Sequence, residues 1–323
     1  MFKKLRTFFL RVVISVFSLG FLFYTVRGEW TEGLSHLTRI DFLPLLIAVA
    51  FNFLSLVVVN FRLGIILAIQ GIHLPFRRTY YLWVISLFFN LFLPSAVGGD
   101  IAKAYYIYKD SGKKIASVTS VLLDRFFGLM ATISIAFVAF LFGRQHIQDP
   151  RIGRLLFWAA GAVLVGILFM MSQRFSKSAK SILFALTPKR VHERLQKLFE
   201  ALELHRHHHL AFLVAYVYSL VAQGMFIVMV YFLARSIQLN LPLAIFFLFL
   251  PLITVISMVP SIGGLGVREA ATVYLFQNYV SLDQAVALSL ICDLFIYGIG
   301  CACGILYAIR GGASIRELEG MEN

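Results

Sequence analysis

The chain has 323 residues, 60% of them hydrophobic and 14% charged, with a mean hydropathy of +0.84 and a net charge of +13. That balance lies far from the soluble average and within the membrane class, so it excludes a sizeable soluble domain. The three cysteines, Cys292, Cys301 and Cys303, all fall in the last apolar run without a CxxC pair, which excludes a disulfide framework or a thiolate metal site.

Crossing a hydrocarbon core of roughly 30 Å takes about 20 helical residues. The first apolar run, residues 8–25, follows Lys3, Lys4 and Arg6, and "TVRGEW" after it offers no small-x-small cleavage site. It reads as a retained signal anchor. Residues 29–41 read as a short external amphipathic stretch with Trp30 at the interface. Further spans are expected at 43–69, 115–143, 155–172, 210–235 and 284–309. Two shorter apolar segments, 79–93 and 242–258, each run into a polar break. The first break is "PSAVGGDIAKA" (Pro94 to Ala104) and the second is "PSIGGLGVREA" (Pro260 to Ala270). Both start Pro-Ser and carry Gly-Gly (Gly98 and Gly99; Gly263 and Gly264, with Gly266 after them), and each has a basic residue four positions on, Lys103 and Arg268.

If both short segments turn back as re-entrant hairpins, six helices span and the two termini share a side. Putting that side in the cytoplasm assigns it 20 of the 29 Lys and Arg, eight of them in the 174–206 loop, as the positive-inside rule requires. Full crossings would put that loop outside. The expected architecture is therefore an all-α polytopic membrane protein, a single transmembrane domain over 1–323 with cytoplasmic termini. It has hairpins at about 79–112 and 242–280 and a basic cytoplasmic loop at about 173–209. The hairpins then enter from opposite sides. Broken helices in corresponding positions of inverted halves point to a secondary transporter with a midplane site, because non-helical backbone at that depth must be buried in protein or line a watery cavity. The competing reading is that Gly-Gly merely permits close helix packing.

Asp124, Arg125, Arg268, Glu269 and Asp293 lie within apolar segments. Each charge at a helix centre costs about 2.5 to 3.5 kcal/mol, so five unpaired would cost on the order of 12 to 17 kcal/mol, comparable to a protein's whole net stability. They must be paired or hydrated. Helical spacing gathers Ser117, Ser120, Asp124, Gly128 and Thr132 on one face, and Ser289, Asp293, Tyr297, Gly300 and Gly304 on another. Two more helices carry polar stripes: Asn52, Ser55 and Arg62, and Tyr216, Ser219 and Gln223. Two readings stay open. Either the charges form internal pairs that fix helix register, or they line a headgroup-sized cavity. In the second reading Lys103 and Arg268 hold a lipid phosphate, with help from helix-end N–H groups, while Asp100, Asp124, Glu269 and Asp293 set charge balance and headgroup choice.

The loop sequence "RVHERLQKLFEALELHRHHH" can lay Val191, Leu195, Leu198 and Leu202 along one side of a helix, which suits an anionic leaflet and not nucleic acid. His205, His208 and His209 share a face there, but a His-rich helix end at a headgroup interface needs no metal, and none is expected. No cofactor is expected either: the glycines of "GGLGVRE" have no strand before them and no βαβ unit after.

"NLFLPSAVGGDIAKAY" (Asn90 to Tyr106), "SVLLDRFFGL" (Ser120 to Leu129), "PSIGGLGVREA" and the Arg62 and Gly71 neighbourhood together resemble the lysylphosphatidylglycerol synthase transmembrane-region family, the flippase part of the multiple peptide resistance factor and its stand-alone relatives. The motifs fall in order over nearly the whole chain, and the family commonly has Arg where Lys103 stands. The resemblance implies a lipid translocase moving a phospholipid, in the best-known members aminoacylated phosphatidylglycerol, or a polyprenyl-linked lipid. It implies the cytoplasmic membrane of a prokaryote, Asn90 beside the charged residues at the binding site, and a non-enzymatic role, since the family's aminoacyl-transferase domain is a separate soluble unit. A lipid-modifying enzyme as partner and an oligomeric state stay open. The rival functions are a membrane-embedded transferase on a lipid-linked substrate and a non-transporting scaffold for a lipid-modifying enzyme.

Overall fold

The computed structural model describes residues 40–92, 98–143, 150–171, 196, 208–257 and 266–309. The expected first span, the turn residues Pro94, Pro260, Gly263 and Gly264, His205 and nearly all of the basic loop lie outside the described residues. Those described form an all-helical architecture: α1 (Phe42–Ile69), α2 (Phe76–Phe92), α3 (Gly98–Ser111), α4 (Lys114–Gly143), α5 (Pro150–Met171), α6 (His209–Ser236), α7 (Leu243–Ile256), α8 (Val267–Phe276) and α9 (Leu282–Ile309). Helices α1, α4, α6 and α9 match the expected spans within a residue or two, whereas α5 starts five residues before the expected 155–172 span.

Four helices, α1, α4, α6 and α9, are each 28 to 30 residues long and apolar enough to cross a membrane. Their surfaces are those of a protein in lipid. Leu210, Leu213, Val217 and Val221 make an exposed apolar stripe on α6, spaced three and four apart, and Leu294, Ile305 and Ile309, eleven and four apart, are exposed on α9. The chain is a multi-pass membrane protein. Apolar burial between such helices supplies little free energy, because lipid tails are as apolar as leucine. Close approach at small residues, aromatic contacts and polar ties must hold the fold.

The chain divides into two compact units. One comprises residues 57–80 and 104–223, and the other residues 1–56, 81–103 and 224–323. In the first, α1 ends in a left-handed turn at Gly71 (φ +68°), where Gly71 N–H bonds the Ala68 carbonyl and Ile72 N–H bonds that of Leu67; only glycine takes this conformation without strain. Lys113 Nζ donates to the Gly71 carbonyl at 2.9 Å, and Arg78 grips both carboxylate oxygens of Asp110 at 2.6 and 2.9 Å. The start of α2 and the end of α3 therefore meet at the end of α1. Ile66, Leu123, Phe127 and Ala215 form a small core, with Phe212 edge-on to Phe127. Helix α5 packs on α4 through Phe157 against Phe137 and Phe140.

In the other unit, Asp41 N–H bonds the Ser236 carbonyl at 2.8 Å, joining the start of α1 to the end of α6. Phe276 at the end of α8 lies against Phe246 and Phe249 near the start of α7. The α7 and α8 pair is thus antiparallel and returns to the end it left. At 14 and 10 residues, its members reach only about 21 and 15 Å, too short to cross. Helix α2 docks on α9 where Gly304 leaves room for the Phe88 ring; a Cβ at Gly304 would overlap it, and Phe88 and Phe89 both contact Tyr307.

Candidate functional site

The start of α8 carries a charged group more open than the one at the start of α3. Gly266 takes φ +83° as the residue before α8, so the chain re-enters a helix with Arg268 and Glu269 in its first turn. Arg268 Nη2 donates to Glu269 Oε1 at 3.3 Å and to Asp293 Oδ1 of α9. Glu269 is buried, while the Arg268 side chain keeps 21% of its surface exposed. Two polar atoms here are buried with no hydrogen-bond partner, Arg268 Nε and Glu269 Oε2.

Arg268 lines a cavity of about 210 Å³. Its walls are mainly apolar, with Phe226 and Met229 from α6, Leu250 and Ile253 from α7, and Leu288 and Ile296 from α9. Thr254, Ser257, Thr272, Ser289 and Cys292 supply its other polar atoms. The hydroxyls of Thr254, Ser257 and Thr272 donate to carbonyls four residues back in their own helices, at 2.8, 2.6 and 2.8 Å. Their lone pairs, not their protons, are left for a ligand.

The charged group at the start of α3 is more deeply buried. Asn90, a candidate ligand by resemblance, instead accepts a hydrogen bond from Gly99 N–H at 2.8 Å. It caps one of the free N–H groups in the first turn of α3. Gly99 has no room for a side chain, since a Cβ there would overlap the Ser86 carbonyl and hydroxyl. Lys103 has no exposed surface: its Nζ lies 3.5 Å from Asp100 Oδ1 and 3.5 Å from the centroid of the Trp83 ring. A desolvated ammonium over indole gains about 2 kcal/mol. Lys103, expected at a phosphate, sits in this structure within a protein-made cation box.

In the other unit the sequence expected Asp124 and Arg125 together at the site. Arg62 Nε donates to Asp124 Oδ1 at 2.8 Å and its Nη1 to Ser219 Oγ at 2.9 Å, tying α1, α4 and α6. The guanidinium passes close to Gly128, where a Cβ would lie in ordinary contact with Nη1 at 3.7 Å. Arg125 is exposed, in line with the apolar stripe Ile115, Val118 and Leu122. The partners the site assignment missed, Arg62, Ser219 and Trp83, left a partial signal: Arg62 and Ser219 stand on polar stripes in apolar helices, whereas nothing in the spacing marks Trp83.

Charged side chains held at helix breaks within a multi-pass helical bundle define the class, a membrane protein with polar sites inside its transmembrane region. The profile of the lysylphosphatidylglycerol synthase TM region matches residues 8–304, and the chain belongs to that family. A comparison with curated proteins finds no match.

Proposed function

We propose that this protein moves a lipid across the cytoplasmic membrane of a prokaryote, recognising part of the lipid at Arg268, and that it does so as a transporter and not an enzyme. The observation that carries this reading is a guanidinium on the wall of a cavity at a helix break, in a chain whose family is associated with lipid metabolism. Half-broken helices are how membrane transporters place polar groups at depth without exposing backbone to lipid. Arg268 is the better candidate contact than Lys103, because it keeps exposed surface and Lys103 has none.

The inverted relation of the two hairpins belongs to the same reading, and it rests on the Lys and Arg distribution that puts the 174–206 loop in the cytoplasm. Phosphatidylglycerol, its aminoacylated form and polyprenyl-linked lipids are the substrates to try.

The test is reconstitution in liposomes carrying a fluorescent phospholipid, with loss of outer-leaflet label accessibility as the readout. Wild type is expected to equilibrate the leaflets. Arg268→Ala, which removes a charge-assisted contact of about 1.5 to 3 kcal/mol, is expected to slow this by about tenfold or more, with Arg268→Lys intermediate. Equal rates for wild type and a folded Arg268→Ala protein would remove Arg268 from the mechanism, and no scrambling by wild type with any of these lipids would sink the transport reading.

A further inference from the structure

We propose that the cavity beside Arg268 takes the ester end of a lipid hydrocarbon chain and not a charged headgroup. The proposal rests on the lipid-transport reading and names which part of the lipid this site holds.

Three observations carry it. First, Arg268 has no positive charge to spare while either of its neighbours is ionised, because its Nη2 already serves both Glu269 and Asp293. A phosphate brought to it meets carboxylates at the same time, and like charges in a low-dielectric site repel strongly. Second, the walls are mainly apolar side chains of three helices, α6, α7 and α9, and the hydroxyl protons of Thr254, Ser257 and Thr272 are committed to backbone carbonyls. An oxyanion needs several donors; these hydroxyls offer none. Third, Arg268 Nε is a buried donor with no acceptor. A buried unsatisfied N–H of this kind costs about 1 to 3 kcal/mol, and a single neutral acceptor relieves it. An ester carbonyl at the head of an alkyl chain supplies that oxygen, and the chain supplies the apolar contact. Ser289 and Cys292 lie on the same wall, which makes Cys292 a native reporter.

The experiment uses the full chain in a maltoside detergent, which has no ester, with Cys301→Ala and Cys303→Ala leaving Cys292 as the sole thiol. The rate of Cys292 modification by N-ethylmaleimide is followed by intact-protein mass spectrometry with three added probes: monoolein, its alkyl-ether analogue without the carbonyl, and glycerol 1-phosphate. Monoolein is expected to slow modification about five- to tenfold more than the ether, the worth of one hydrogen bond, and glycerol 1-phosphate to leave the rate unchanged. In Ser289→Phe, which fills the cavity, the difference between monoolein and ether is expected to vanish. Protection by glycerol 1-phosphate, or equal protection by ester and ether, would overturn the proposal, as would a monoolein effect that survives Ser289→Phe. The readout needs no transport, so it can fail while scrambling succeeds, or hold while scrambling fails.

Discussion

Asp124 and Arg125 are adjacent in the chain, but a helix turns about 100° per residue. The first points at Arg62, and the second joins the exposed stripe of α4. Their substitutions should therefore differ. Removing one partner of a buried ion pair strands the other charge and costs about 3 to 5 kcal/mol, so Arg62→Ala or Asp124→Ala should lower thermal stability sharply in detergent, whereas Arg125→Ala should shift it far less. The double replacement Arg62→Met with Asp124→Leu should recover much of the loss, as buried pairs exchanged for apolar residues often do. Equal destabilisation by Arg125→Ala and Asp124→Ala would contradict this division. The sequence shows that a charge at helix depth needs a partner, and the spacing shows that Asp124 faces inward with Ser117 and Ser120. It does not show whether the partner is a ligand or another helix, because that choice depends on which helices pack together, and Arg62 lies 62 residues away.

At the scale of the helix break, the repeated Pro-Ser-Gly-Gly pattern marks both turning points, and the structure gives a specific reason for one of its glycines. Gly99 faces the Ser86 backbone with no space for a methyl group, so Gly99→Ala must displace α3 from α2. Overpacking of this kind costs about 1 to 3 kcal/mol, and a stability loss below a few tenths of a kcal/mol would show that the approach is looser. Asn90→Ala should remove the cap from α3 at a cost of about 1 kcal/mol, and Asn90→Asp, which keeps the acceptor, should largely preserve stability. The resemblance placed Asn90 at the ligand; the structure gives it a partner in its own chain. A side-chain amide caps a helix or holds a headgroup with the same chemistry, and only the distance to Gly99 N–H separates the two.

For the whole molecule, the four long spans and the short apolar helices α2 and α7 were legible because length and hydropathy act on each segment separately. The seat of Phe88 on Gly304 was not, since it pairs helices far apart in the chain, and neither were the contacts of Phe276 with Phe246 and Phe249, since which rings meet depends on how the consecutive helices α7 and α8 pack. The expected topology gives a direct test. With the native cysteines replaced, Lys114→Cys should react with an impermeant maleimide only from the cytoplasmic face, and Asn278→Cys only from the opposite face; both lie at exposed helix-end positions. Labelling of both from one face would refute the hairpin arrangement.

Helix α9 carries two docking points: Arg268 holds it at Asp293, and Phe88 seats at Gly304. These positions are eleven residues apart, roughly 16 Å along the axis, and at 3.6 residues per turn they differ by only about 20° in azimuth. A small roll of α9 about its own axis would sweep the two contacts in the same direction, so α2 and α8 are ganged on one shaft, and a torque applied at either break is felt at the other.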